Sequence, residues 1–241
     1  MTSPLVAEPR PAVMAGEPLT DSCARLWSAR AHACLGISPF NGHFTAERIH
    51  ALARWALAAF EEVHFFVPDV PAAYTLEALG YPPERAAWKA RRQGQYLRNK
   101  ITRALANLDV ADPGSRILGW QELCANPAYA ELHAQVQHRF ATDPSFAVAC
   151  LDASNWVLER HLPAGQAPSP DQLRCAVRYF LAELPLFLDT PRIAAVDSSL
   201  FCYHQAPDVL LALYQQRLAL HPAPTQGFLR LSPERMTGRP R

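Results

Sequence analysis

Four short runs in this 241-residue chain are apolar almost without interruption: HACLGI at 32–37, VHFFV at 63–67, RILG at 116–119 and AAVDSSLFCYH at 194–204. Such runs predict strands buried on both faces. Between them, apolar residues recur every three to four positions over 46–61, 83–108, 127–140, 143–160, 170–188 and 207–218, which predicts helices. In the first of these, Leu52, Trp55, Ala56 and Phe60 share a face, and Thr45 stands at the N-cap position. Strands alternating with helices predict an α/β fold, a mostly parallel sheet flanked by helices on both faces. Residues 228–231 (FLRL) predict a weak edge strand. The Pro- and Ala-rich start predicts a loose arm over 1–20 that lacks the long apolar run of a signal peptide. A single domain over 21–220 and a polar, basic tail over 221–241 complete the expected layout.

Composition sharpens this only in places. Hydrophobic residues at 49% and charged ones at 19% suit a chain that buries a core, and a net charge of +1 leaves any polyanion signal to local clusters. No stretch approaches the roughly 20 apolar residues of a membrane-spanning helix. Six cysteines without a CxxC pair and nine histidines without HExxH spacing predict reduced thiols in a cytoplasmic protein that holds no metal.

In open α/β sheets ligands bind at the carboxyl ends of the strands, so the residues just past the apolar runs matter most. Ser38 follows the first run and precedes a turn at Pro39. It reads either as a turn former or as a hydroxyl projecting into the crevice. Phe40 stands where a G-x-S-x-G elbow needs its second glycine, which disfavours a serine hydrolase. Tyr179 and Glu183 are four residues apart in a helix with apolar neighbours, so they share a face. Glu183 is then either an ordinary solvent-facing carboxylate or an enclosed one that holds an ammonium or moves protons. Tyr203 and His204 end the last apolar run, as a core tyrosine and a loop histidine or as groups emerging beside Ser38. From Arg85 to Arg103 there are seven basic residues and no acidic one: Arg85, Lys89, Arg91, Arg92, Arg98, Lys100 and Arg103. That run is either a solvated face or an electrostatic footprint for nucleic acid. Gly94 within it predicts a loosened or bent helix.

In chain order, a Gly-Ile-Ser strand end with Asn41 after it, a basic helix, the Tyr179/Glu183 pair and Cys202-Tyr203-His204 resemble the cyclodipeptide synthase family, over roughly residues 26–218. Asn41, Tyr203 and His204 match the markers of its Asn-Tyr-His subfamily. The resemblance implies a Rossmann-like fold similar to the catalytic domain of class Ic aminoacyl-tRNA synthetases, here without HIGH-like or KMSKS-like sequence. It implies a monomeric aminoacyltransferase, without cofactor or metal, that takes two aminoacyl-tRNAs and makes a cyclic dipeptide by ping-pong acyl transfer. Ser38 would carry an aminoacyl and then a dipeptidyl group. Tyr179 and Glu183 would bind the α-amino group, with Glu183 relaying protons. Tyr203 would position the aminoacyl moiety, and Asn41 and His204 would support the site.

The same resemblance places Lys89, Arg91, Arg92, Arg98, Lys100 and Arg103 against tRNA, although Asn99 and Thr102 interrupt the denser arginine run of the family. By position, Cys34, Gly36, Phe66 and Trp120 would surround the first aminoacyl group, the bulky aromatics favouring a small side chain such as Ala, and Leu186 would also belong to the substrate-binding residues. Arg160 would lie near the second, where a cation favours an acidic side chain. The implied product is cyclo(Ala-Glu) or a relative. The rival reading is a non-catalytic tRNA-binding module on a degenerate synthetase fold. That module needs the basic helix, but not Ser38, Tyr179 and Glu183 together.

Overall fold

The computed structural model describes residues 14–163 and 165–233. In chain order the elements are β1 (Met14–Pro18), α1 (Asp21–Ala29), β2 (His32–Gly36), α2 (Ala46–Ala59), β3 (Glu62–Phe66), α3 (Ala72–Ala78), α4 (Pro83–Ala106), β4 (Ile117–Leu118), α5 (Trp120–Ala125), α6 (Pro127–Thr142), α7 (Pro144–Glu159), α8 (Pro170–Ala194), β5 (Ser199–Tyr203), α9 (Asp208–Tyr214) and β6 (Gln226–Pro233). The strands form one sheet in the order β1-β6-β5-β2-β3-β4. Every neighbouring pair is parallel except β1 with β6. All five residues of β2 are buried, which is why its sequence carries no polar alternation.

Alternate residues along each strand point to opposite faces, and each face has its own core. Leu35, Phe65 and Cys202 pack with Ile49, Leu52, Leu97 and Ile101 from α2 and α4. Cys34, Phe66, Phe201 and Phe228 pack with Phe146, Leu181, Leu184 and Phe187 from α7 and α8. From β2 the chain builds outward through β3 to β4, then returns to place β5 on the other flank of β2. The order therefore reverses between β2 and β5. In such sheets a crevice opens outside the carboxyl ends of the two strands at that point.

Several expectations need correction. The arm expected over 1–20 contains a strand, β1, and the tail expected over 221–241 contains β6. Residues 1–13 and 234–241 lie outside the described residues. β6 is no edge strand, since it lies between β5 and β1. The run at 194–204 is a strand only from Ser199, because Ala194 ends α8 and Ala195 caps it in the left-handed region. The helix expected to stop at 188 continues to Ala194 across a kink at Asp189. Pro191 has no N–H to offer the carbonyl of Phe187, and the Tyr214 hydroxyl donates to that carbonyl instead at 2.8 Å. The short helices α1, α3 and α5 were not expected.

Nor does Gly94 bend α4, which is continuous over 24 residues. Its missing side chain serves a close approach, since a Cβ there would collide with Asp69 in the loop after β3. Gly94→Ala is therefore expected to destabilise the fold by about 1–3 kcal/mol through overpacking, although alanine is the better helix former. Urea midpoints check this; a variant as stable as wild type or more so would remove the packing argument.

Candidate active site

Two residues past β2, Ser38 begins a tight reversal. Phe40 takes a left-handed backbone (φ 59°), uncommon for a bulky residue and held here against a local penalty. The reversal brings Asn41 back towards the end of β5. Its amide donates to the Tyr203 hydroxyl at 3.3 Å and lies 3.4 Å from His204 Nε2, while its carbonyl accepts from the His43 N–H at 3.0 Å. The Ser38 hydroxyl is 3.0 Å from that of Tyr203. Ser38 and Tyr203 thus meet at the point where the strand order reverses. From α8, Tyr179 and Glu183 face the same space. A cavity of about 540 Å³ is lined by Gly36, Ser38, Asn41, Tyr179, Glu183 and Tyr203, with Phe187, Phe201 and Phe228 supplying apolar wall. Glycine at 36 keeps that wall open, because a Cβ would press on Phe201 at 2.9 Å and Tyr203 at 3.2 Å.

Enclosure sets the proton affinities. Burial pushes the Glu183 carboxyl from its ordinary 4.5 up to about 8, offset in part by Tyr179. Burial likewise pushes Tyr203 to about 12, and the neighbouring Ser38 and Asn41 pull it back somewhat. Tyr179 is also raised, by burial first and then by the Glu183 charge, with Ser38 acting in the opposite direction. At neutral pH these side chains form a cluster of neutral hydroxyls around a protonated carboxyl. Such a cluster can hold an amine, pass it a proton or take one from it, and offer one hydroxyl as nucleophile.

The family model for cyclodipeptide synthases matches residues 14–233. Over 217 residues the chain is 34% identical to a cyclo(L-tyrosyl-L-tyrosyl) synthase of Mycobacterium tuberculosis, covering 90% of this chain and 75% of that one. The chain belongs to the cyclodipeptide synthase family. A cyclo(L-leucyl-L-leucyl) synthase of Bacillus subtilis is also 34% identical, over 234 residues covering 93% of this chain and 92% of that one. The crystal structure of a cyclodipeptide synthase from Bacillus thermoamylovorans matches with a TM-score of 0.85 at 26% identity, covering 92% of this chain and 97% of that one. A Mycobacterium tuberculosis structure, described as demonstrating that cyclodipeptide synthetases are related to type I tRNA synthetases, matches with a TM-score of 0.80 at 32% identity, covering 94% and 96%. The protein is thus a transferase built on the synthetase-like sheet that the resemblance implies. Among the described residues no helix is long and apolar enough to cross a membrane.

The remaining residues of this synthase named from sequence fall in different places. His204 stacks on His43 (centroids 4.0 Å apart, planes at 6°), its Nδ1 is buried without a partner, and burial lowers its pKa to about 4. It stands beside Asn41, outside the walls of the cavity, as a neutral ring that braces the loop. Of the four residues expected around the first aminoacyl group only Gly36 lines the cavity, and Leu186, also expected to bind substrate, does not line it. Cys34, Phe66 and Leu186 are fully enclosed in the core beneath Phe201, and Trp120 packs edge-on against Tyr129. Arg160 does reach the wall, its guanidinium 3.6 Å from the centre of the Trp156 ring.

The basic helix divides as well. Arg98 is drawn between Asp69 (3.5 Å) and Glu122 (3.7 Å), and Lys100 donates to the Phe44 carbonyl at 3.2 Å. Both therefore spend their charge on tying α4 to neighbouring loops. Lys89 turns to the cavity wall and donates to the Tyr81 hydroxyl at 3.3 Å. Arg85, Arg91, Arg92 and Arg103 remain exposed. Sequence reasoning missed the contribution of α3, whose Ala72, Thr75 and Leu76 line the cavity, because seven residues carry too little periodicity to register.

Proposed function

We propose that this synthase joins two aminoacyl groups delivered by tRNA through covalent intermediates on Ser38. The observation that carries the reading is the convergence of Ser38, Tyr179, Glu183 and Tyr203 on one enclosed cavity. The Ser38 oxygen attacks the ester carbonyl of the first aminoacyl-tRNA; the bond to the ribose breaks, and the serine proton leaves with the ribose oxygen. An ester replaces an ester, so no ATP is needed for the step. Tyr179 and Glu183 hold the α-amino group of the bound residue. That amine attacks the ester of the second aminoacyl-tRNA, Glu183 gives its proton to the departing ribose oxygen as it takes that of the amine, and a dipeptidyl-serine forms as the second tRNA leaves. The free amine of the second residue then attacks the Ser38 ester, the ring closes, and the proton returns to the serine oxygen. Holding both ends of the dipeptide in one cavity supplies the effective concentration for closure.

Wall charge supports a product unlike the tyrosyl and leucyl ones named for the relatives. Lys89 and Arg160 place two cations on the lining, while the core beneath Gly36 is filled by Phe66 and Phe201. A small first residue and an acidic second one fit this, giving cyclo(Ala-Glu) or a close relative. Mass spectrometry of reactions with charged tRNAs tests the reading: product is expected with aminoacyl-tRNA and none with free amino acids and ATP, the reverse sinking it. Arg160→Ala is expected to lower the share of acidic product about tenfold or more. An unchanged product ratio would remove Arg160 from selection.

A further inference from the structure

The outward face of α4 presents aromatic rings where a solvated helix has no use for them. The helix buries Ala86, Ala90, Gly94, Leu97, Ile101, Ala104 and Leu105 on one side. Trp88, Arg92 and Tyr96 follow one another at four-residue steps on the reverse side. Trp88 is 54% exposed and Tyr96 47%, so neither ring serves the core. They are not scattered either, because the Arg92 guanidinium sits between them. It lies 5.1 Å from the centre of the Trp88 ring and 5.5 Å from that of Tyr96, and Arg92 Nε donates to the Tyr96 hydroxyl at 3.0 Å. Next to Trp88 in the chain, the Lys89 amino group lies 4.4 Å over the Tyr81 ring, and both of these residues line the cavity. Lys89 and Arg92 are three residues apart and so neighbour each other on the helix surface, which sets rings and cations from the cavity wall out along α4.

We propose that Trp88, Arg92 and Tyr96 form a stacking platform for the unpaired 3′-terminal nucleotides of a tRNA whose aminoacyl group enters the cavity. This rests on the reading of tRNA as acyl donor. The chemistry that fits such a surface is negative charge combined with free flat faces. Single-stranded nucleic acid has both, and bases stack on aromatic rings and arginine planes whatever their sequence. A duplex hides its base faces and would engage the exposed Arg85, Arg91 and Arg103 through phosphate alone. Glu84 is the one acidic residue of α4, so the platform meets little repulsion along the helix. The unpaired end is the part that must reach here, since the ester it carries has to approach Ser38.

Fluorescence anisotropy of the full chain with two uncharged tRNAs tests this, one intact and one lacking its unpaired 3′ nucleotides. Trp88→Ala is expected to weaken the intact tRNA by about 5- to 150-fold, the range for loss of one stacked base, and to leave the truncated one unchanged. Trp88→Phe should retain most of the affinity. Arg103→Gln should weaken both tRNAs equally and lower the salt slope by about one. Equal weakening of both tRNAs by Trp88→Ala, or no weakening of either, overturns the platform while leaving tRNA use intact. Loss by Trp88→Ala of binding to anionic lipid vesicles, with tRNA binding kept, would assign the surface to a membrane instead. Failure of the wild type to bind either tRNA would sink the donor reading and the platform with it.

Discussion

Ser38→Ala is expected to abolish cyclic dipeptide formation, by a factor on the order of a thousand or more, and to remove a covalent adduct that the wild type forms. Intact-protein mass measured after incubation with a single charged tRNA should rise by one aminoacyl residue in the wild type. It should stay unchanged in the variant. The expectation is this large because the hydroxyl that stands against Ser38 is a poor substitute for it. The Tyr203 hydroxyl, 3.0 Å from that of Ser38, has a pKa pushed up to about 12 and lies in the bond network with Asn41. His204 stacks outside the cavity. Stability should change by only about 1 kcal/mol, since Ser38 gives up one hydrogen bond and the Tyr203 hydroxyl keeps its contact with Asn41. Loss of activity therefore cannot be assigned to unfolding, and urea midpoints beside the mass data separate the two. An adduct that persists in Ser38→Ala would move the nucleophile elsewhere. No adduct in the wild type would favour a tRNA-binding module without covalent chemistry.

How much of this could be read from the sequence follows from what each residue's neighbours are. β2 and β5 are flanked by parallel strands and covered on both faces, so their burial is written as continuous apolar letters. Their ends, and with them Ser38 and Tyr203, were legible for that reason. Tyr179 and Glu183 were legible as a pair because helical geometry fixes what lies four residues apart. By contrast β1 reads MAGEP, with a glycine and a proline where strand formers belong. It is tolerated because it is an edge strand whose partner β6 supplies the apolar side chains. The division of the basic helix was illegible for a different reason. Sequence gives the sign of Arg98, Lys100 and Lys89 but not what stands opposite them, and Asp69, Glu122 and the Phe44 carbonyl come from other segments. The aromatic ladder at Trp88 and Tyr96 went unread, because spacing alone does not give exposure. In an amphipathic helix the same letters could equally have faced the core.

Glu183→Gln should make the protein more stable and inactive at once. In the folded state this carboxyl holds its proton up to about pH 8, while its ordinary value is 4.5. Below about 4.5 both folded and unfolded chains carry the proton, and the residue costs nothing. Between 4.5 and 8 the unfolded chain releases it and the folded one does not, so the folded state binds more protons and stability falls as pH rises. Above 8 both are ionised and the penalty is constant, a few kcal/mol in order of magnitude. Glutamine has the same shape and nothing to ionise. The variant should match wild type near pH 4.5, gain on it steadily to pH 8, and keep that gain beyond. Denaturation midpoints at pH 4.5, 6.5 and 8.5 would show this, and a difference independent of pH would mean that Glu183 is not an enclosed neutral acid. Product formation should fall by about 10²- to 10⁴-fold, the range for loss of a positioned acid–base group, because an amide cannot relay the proton of the attacking amine. The two effects have one cause. A carboxyl enclosed enough to keep its proton at neutral pH weakens the fold, and that enclosure holds its proton affinity near that of the amine it serves.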